Sequence, residues 1–472
     1  MTLKNKKWNW ALLPVILSLA WPTMLEQLLQ TSVQYIDTAM VGALGTSATA
    51  AVGATGTLNW LINGTIAALG VGFLAFISKA CGAEDKKAVS RAASQMVLAV
   101  LLCGSVFTAL ALSLSGVIPQ WMQVDKEIQG LASRYFFILY LPMLPRSASI
   151  LFGTALRAVG DTKKPMVITL GMNLVNVVLN FFLIYPTRTV GIFGQSMTMP
   201  GAGWGVEGAA IASATAFVVG GVWMTVSFWR HPVLRPGSEK IRPDWQILKP
   251  CLTVAFPNML QRFGTSMGYV VFATMVNALG ETATAAHTIA NTVESAFYIP
   301  GYGMQTAAAT LAGNAYGARD KKRIKELPRL LLLLEVGLMI LSGGALFAFA
   351  PKLVGLFSKE QTVITLGATV LRMVALSEPF FGIGIIIQGL LQGVGDTKTP
   401  FVCDLCSMWG VRIVGTFICT AFLHLGLVSA WACMIGHNLV LFALLMGHYL
   451  KGKWNPLSEG HKTAKPSKHE YK

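Results

Sequence analysis

The residues of this sequence that can do chemistry are the polar side chains stranded inside long apolar runs. Nine ionisable residues are placed so: Glu26, Asp37, Arg146, Arg262, Glu294, Glu335, Glu378, Asp404 and Arg412. A charge in an apolar medium is costly, so each must find a partner, a wet path or a ligand. Glu26, Gln30 and Asp37 are spaced i, i+4, i+11. At 100° per residue, eleven steps return a helix to within about 20° of its start, so the three share one face. Asn173, Asn176 and Asn180 line a face of another run, and Ser213 lies on the next. Counted from the ends of their runs, Asp37, Asn176, Asn180 and Ser213 fall at a similar depth. One carboxylate with amide and hydroxyl oxygens is a hard-oxygen set suited to a sodium ion or a proton. Two plainer readings stand beside it: Asp37 as an acid near the outer helix end, and the asparagines as helix-to-helix hydrogen bonds.

Arg262, Arg412, Asp404 and Glu378 are explained most simply by pairing among themselves, and otherwise by binding a charged substrate. Glu294 and Glu335 have no assigned place. His287, His424 and His437 stand alone and read as satisfied polar residues. Cys403 and Cys406 form a C-x-x-C, but no second pair has metal-ligand spacing, so the seven cysteines read as small apolar packers. The run from Gly447 to Lys453 mimics a phosphate loop, then places Trp454 where Ser or Thr is required. No paired acids or His–acid set suggest an enzyme, and no cofactor is expected.

These residues need elements to hold them in lipid. Of 472 residues, 54% are hydrophobic and 12% charged, against roughly 25% charged in a soluble domain. That excludes a soluble enzyme, a disordered chain and a nucleic-acid binder. Runs of about 20 apolar residues or more occur twelve times, at 12–41, 48–78, 92–117, 131–157, 165–185, 206–229, 246–275, 284–314, 328–350, 363–392, 400–423 and 426–450. Backbone in lipid must satisfy its own hydrogen bonds, so the runs are predicted helices. Pro22, early in the first, is expected to kink it or to free a carbonyl. With the N-terminus inside, 28 of the 37 Lys and Arg lie on the inner segments, six on the outer, and three within spans. This asymmetry predicts both termini in the cytoplasm. It makes the net charge of +16 a topology signal with anionic lipid as its partner.

A duplication runs through the chain. Ala20–Leu25 matches Ala255–Leu260, Met40–Gly45 matches Met275–Gly280, Gly82–Lys87 matches Gly317–Lys322, and Gly160–Pro165 matches Gly395–Pro400, all at an offset of 235. Each half has six spans, an even number, so the repeat is parallel. The expected fold is an all-α polytopic membrane protein of twelve transmembrane helices in two parallel-repeat six-helix lobes. An N-terminal lobe (1–229, with the cation site) precedes a cytoplasmic linker (230–249), a C-terminal lobe (250–450) and a basic tail (451–472). The Gly-Asp-Thr-Lys-x-Pro segments are expected to cap the fifth and eleventh helices. The offset places Phe272 opposite Asp37 and Gln261 opposite Glu26, so cation chemistry is expected in the first lobe alone.

Trp21-Pro22 through Asp37-Thr38-Ala39-Met40-Val41-Gly42, the two Gly-Asp-Thr loops and Asn176-Val-Val-Leu-Asn180 together resemble the multidrug and toxic compound extrusion (MATE) family. The resemblance covers roughly residues 10–450. It implies antiport, in which an organic and often cationic compound leaves the cell as sodium ions or protons enter. A cell-membrane location is expected, and a two-lobed transporter needs no partner, so a monomer is expected. Asp37 matches the family's cation-coupled acid. Asn180 stands where many members have a second acid, and Ser213 stands for a threonine. Branches with that acid missing carry others in the seventh and tenth spans; here Thr265, Ser266 and Phe381 stand near those places, with Glu378 three residues from the last. Glu26, Gln30, Asn173, Glu378, Arg262, Arg412 and Asp404 are candidates for a substrate or proton path, with Pro22 as hinge. The alternative within the same superfamily is a flippase for lipid or lipid-linked oligosaccharide, which would need a strongly basic cleft. Only Arg146, Arg262 and Arg412 lie in spans.

Overall fold

The computed structural model describes residues 10–121, 124–192, 195–237, 242–452 and 454–458. Lys4, Lys6 and Lys7, part of the linker and most of the basic tail lie outside them. After a short 3-10 turn the helices are α1 (Leu13–Gly42), α2 (Thr46–Gly82), α3 (Lys86–Leu114), the one-turn α4 (Ile118–Trp121), α5 (Lys126–Tyr140), α6 (Met143–Ala158) and α7 (Lys163–Leu183). A hairpin of β1 (Pro186–Ile192) and β2 (Gln195–Ala202) leads to α8 (Gly205–Trp229). Then come α9 (Trp245–Asn277), α10 (Glu281–Gly317), α11 (Lys321–Gly355), α12 (Gln361–Ala375), α13 (Glu378–Val394), α14 (Lys398–Ser407), α15 (Val414–Phe417) and α16 (Leu427–Leu450). π-helical segments at Met408–Ile413 and Ile418–Phe422 make α14 and α15 one run.

Twelve helical runs thus cover the twelve expected spans. Among the described residues, eight helices are singly long and apolar enough to cross a bilayer, and two bent pairs bring the number to ten. α9 and α10, at 33 and 37 residues, are also long enough. The protein is a multi-pass membrane protein. Two spans read as continuous in the sequence are each broken in two. α5 and α6 meet at 52°, and α12 and α13 at 53°. The breaks, at Leu141–Pro142 and Leu376–Ser377, are 235 residues apart. The hairpin was not foreseen. Its strands pair antiparallel from Pro186↔Ala202 to Ile192↔Gln195, with an irregularity after Pro186.

The repeat recurs in the backbone. Gly45 and Gly280 have φ of 114° and 104°, Glu84 and Arg319 of 57° and 53°, and Gly160 and Gly395 of 90° and 91°. Left-handed backbone is unfavourable for residues with a Cβ, which accounts for glycine at two of the three pairs. Asp161 and Asp396 do the capping expected of them. Asp161 Oδ1 accepts from the Lys164 amide at 3.3 Å, and Asp396 Oδ1 from the Thr399 amide at 3.1 Å.

By its contacts the chain forms two compact units. One holds Ser18–Ile77 and Lys86–Ser266; the other holds Ser78–Asp85 and Met267 onward, with the start of the chain. In the first, α8 packs against α5, α6 and α7. Glycine allows the closest approach: a Cβ on Gly221 would lie 2.2 Å from the Pro145 carbonyl oxygen. In the second, α10 packs on α11, α12 and α13 around a core that includes Phe272, Leu346, Leu371 and Trp431.

Candidate functional site

The residues expected at one depth in the first lobe meet in one hydrogen-bonded chain. Asn180 Nδ2 donates a short bond to Asp37 Oδ1 and a second, of 3.1 Å, to Asn176 Oδ1. Asn176 Nδ2 donates to Ser213 Oγ at 3.0 Å. The helical spacing explains the chain: Asn176 and Asn180 are one turn apart on α7, with α1 reached from Asn180 and α8 from Asn176. Asn176, Asn180 and Ser213 are buried, whereas Asp37 is half-buried. The Asn180 amide oxygen is buried without a donor. A carboxylate open on one side, beside an unused amide oxygen, is an arrangement that takes up a cation or a proton. Tyr135 on α5, which sequence reasoning did not single out, is buried within electrostatic reach of Asp37.

About two turns toward the start of α1 from Asp37, Asn173 Nδ2 donates to the Leu29 carbonyl at 2.9 Å. Glu26, about one turn further back on α1, is already ion-paired. Arg157 Nη1 reaches both its oxygens at 2.9 Å, Thr169 Oγ1 donates to Oε1 at 3.3 Å, and Arg157 Nη2 is held by Thr154 Oγ1 at 3.0 Å. Arg157, at the inner end of its span and one of the 28 basic residues assigned to the inner side, is the ion-pair partner of Glu26. Gln30, expected on the inward face with them, is exposed.

Pro22 does not break its helix: α1 runs through it. The freed-carbonyl expectation is met instead. Proline has no N–H for the carbonyl four residues earlier, which is that of Ser18, and Thr162 Oγ1 donates to this oxygen at 3.3 Å. Thr162, the last residue of the first Gly-Asp-Thr segment, therefore ties that loop to the proline turn.

The second unit holds all the other candidates but Arg262. Arg412, Asp404, Arg262 and Glu378, expected to pair among themselves, make the following described contacts. The Arg412 guanidinium lies over the rings of Phe272 and Tyr269, at 4.2 and 4.7 Å. Asp404 Oδ1 is 3.6 Å from His437 Nε2. Arg262, in the first unit and exposed, donates from Nε to Asn258 Oδ1 one turn earlier on α9 at 3.2 Å. Among the described residues, buried Glu378 has no partner for Oε2 and buried Glu335 none for either oxygen. Glu335 fits because glycines face it. A Cβ on Gly301 would lie 2.6 Å from its Oε1, and one on Gly382 would lie 3.1 Å away. Glu294 is buried within electrostatic reach of Arg412 and Glu378. Nothing local in the sequence announced this grouping, since its glycines come from α10 and α13 and its acids from three helices. Among the described residues no group of three His, Cys, Asp or Glu is placed to hold a metal ion. A cavity of about 760 Å³ in the first unit is walled by α2, α3 and α9, including Leu69, Leu102, Phe107 and Phe256, and by none of the candidate site residues.

The family model MatE matches 22–182 and 257–418, one match in each half. The chain is 28% identical over 439 residues to a probable multidrug resistance protein NorM of Thermotoga maritima, covering 93% of this chain and 92% of that one. It is 25% identical over 409 residues to the multidrug resistance protein PmpM of Pseudomonas aeruginosa, covering 84% and 82%. Among solved structures, a MOP superfamily transporter from Pyrococcus furiosus superposes with a TM-score of 0.84 at 22% identity, over 94% of this chain and 96% of that one.

Proposed function

The chain belongs to the MatE family, and from that premise we propose that it is a secondary active antiporter of the cell membrane. It exports organic, often cationic compounds in exchange for sodium ions or protons. Both termini are cytoplasmic, each half of the repeat (1–229 and 250–450) carries one six-helix bundle, and the protein works as a monomer without a cofactor. The observation that carries the reading is the chain Asp37–Asn180–Asn176–Ser213 across α1, α7 and α8. Asp37 is its one carboxylate, so the binding of an inward-moving cation and of an exported cation both act through a single charge. When a proton or a sodium ion occupies it, the carboxylate loses its hold on an organic cation. When the organic cation occupies it, the driving ion is kept off.

Coupling then requires α1 to respond to the charge on Asp37. Pro22 supplies a weak turn fifteen residues earlier, where one backbone hydrogen bond is missing and a side chain, Thr162, stands in for it. The Asn180 bond to Asp37 ties the outer end of α1 to α7. Neutralising Asp37 weakens that tie, because hydrogen bonds to an ionised acceptor are roughly twice as strong as neutral ones. The test is efflux of rhodamine 123 from proteoliposomes under an imposed sodium or pH gradient, for wild type and Asp37→Asn. Gradient-driven efflux in the wild type and its loss in the variant are expected, and the gradient that works identifies the ion. Wild-type rates in Asp37→Asn would sink the mechanism.

A further inference from the structure

Arg146 is a buried cation that the proposed exchange does not use. It sits one turn into α6, just past the α5–α6 bend, and is 4% exposed. Among the described residues it forms no ion pair with a carboxylate. The ionisable groups acting on it are two phenols, Tyr140 and Tyr135. Its guanidinium lies 4.3 Å from the centre of the Phe217 ring and 5.4 Å from that of Tyr140. Those ring faces soften the burial of the cation, yet neither supplies a counter-charge.

The hydrogen bonds around it are short of acceptors. Asn59 Oδ1 on α2 accepts from Arg146 Nη2, from the Tyr140 hydroxyl at 3.0 Å and from Asn63 Nδ2 at 3.4 Å. A carbonyl oxygen has two lone pairs, so three donors oversubscribe it. Arg146 Nη1 is buried with no partner among the described residues. A native structure seldom leaves a buried guanidinium N–H unpaired unless a ligand, ion or water meets it. A neutral acceptor would satisfy the hydrogen bond and leave the charge; an anion satisfies both. A planar guanidinium favours a planar carboxylate, which its N–H groups match in geometry.

We propose that Arg146, with Asn59 and Tyr140, forms a carboxylate-binding subsite in the first unit, and that its occupant is a carboxyl group on the exported compound. This rests on the export reading above and names a substrate class within it: amines that also bear a carboxylate. Tyr135 lies within electrostatic reach of both Asp37 and Arg146, so the proposed acid subsite and the cation site flank the same phenol. Asn63 Oδ1, also buried without a donor, is free to accept from an N–H or O–H of the same molecule. A free carboxylate anion would satisfy the same chemistry, and the test separates the two sources.

Rhodamine 110 and its methyl ester, rhodamine 123, differ only in whether the carboxyl is free. Binding of each to purified protein is measured by fluorescence polarisation for wild type, Arg146→Gln and Arg146→Lys, with and without acetate. In Arg146→Gln the preference for the acid over the ester should fall about tenfold or more, with ester affinity held, and Arg146→Lys should restore part of it. Acetate should compete with rhodamine 110 in the wild type and leave rhodamine 123 unaffected. Ester binding that requires acetate would assign the same subsite to a free anion. Equal weakening of both dyes in Arg146→Gln would overturn the subsite. So would a wild type that neither distinguishes the dyes nor responds to acetate, a result that needs no variant to fold. If both dyes bind as expected and neither is exported under any gradient, the export reading fails while the subsite stands.

Discussion

Glu26 and Arg157 offer a stability measurement whose outcome depends on which partner is removed. Arg157 Nη1 contacts both carboxylate oxygens at 2.9 Å. The Glu26 side chain is 6% exposed and that of Arg157 is 17% exposed. Opposite charges about 4 Å apart at an effective dielectric of about 20 attract by roughly 4 kcal/mol, before desolvation is subtracted. Arg157→Gln leaves a buried carboxylate with Thr169 Oγ1, at 3.3 Å, as its remaining side-chain donor, and should cost about 3–5 kcal/mol. Glu26→Gln leaves the cation, which has a longer stem and more access to the surface, and should cost about 1–2 kcal/mol. The double variant Glu26→Gln/Arg157→Gln removes both charges and should be more stable than Arg157→Gln alone by about 2 kcal/mol, by relieving the uncompensated charge. The assay is equilibrium unfolding in mixed dodecyl maltoside–SDS micelles, read by tryptophan fluorescence. The reasoning is refuted if Glu26→Gln costs as much as Arg157→Gln, or if the two losses simply add in the double variant. Either result would mean that the pair is not the buried, mutually dependent unit its geometry describes.

Two further outcomes check the packing around the site. Thr162→Val removes the hydroxyl that serves the Ser18 carbonyl and should cost about 1 kcal/mol; hydrogen exchange of α1 amides around Pro22 should quicken, and Thr162→Ser should behave as wild type. Gly221→Ala puts a Cβ 2.2 Å from the Pro145 carbonyl oxygen, so α6 and α8 must part, at a cost of about 1–3 kcal/mol in the same unfolding assay. Gly130→Ala on α5, where a Cβ meets nothing within 4 Å, should be neutral or stabilising by about 0.5–1 kcal/mol. Equal effects at the two glycines would contradict the close approach.

What could be read from the sequence was whatever lipid makes rare. Asp37 and the Asn173–Asn176–Asn180 row are conspicuous because few side chains of that type survive in an apolar run, and helical spacing alone puts the row on one face. The spans and the repeat follow from length, apolarity and a constant offset. What could not be read depended on partners distant in the chain. Arg157 looks like any basic residue at the inner end of a span until Glu26, 131 positions away, is seen beneath it. The notch around Glu335 is made by glycines on two other helices. The α12–α13 break contains no proline at the bend, only Ser377 and then Glu378-Pro379, so periodicity carried straight through it. The hairpin from Pro186 to Ala202 lies between two apolar runs and left no mark that a search for spans registers.

The duplicated scaffold also explains why chemistry can differ between the halves without changing the fold. Position 146 in the first unit contacts position 59, which in turn holds position 63. The offset of 235 maps these onto Phe381, Glu294 and Tyr298. The same helices meet there: Phe381 lies against Tyr298 with ring centroids 5.5 Å apart. One backbone geometry thus carries an arginine with two amides in the first unit, and a ring pair beside a carboxylate in the second. Asp37 likewise maps onto Phe272, which there lies beneath the Arg412 guanidinium. The left-handed turns and the bends are common to both halves because they are set by turn residues and by backbone packing. The charges are not common, because each needs only one side chain exchanged on a helix face the fold already holds in place. A transporter built this way can keep a cation site in one half and a different polar grouping in the other, so substitutions at matched positions should be judged by their local partners rather than by the repeat.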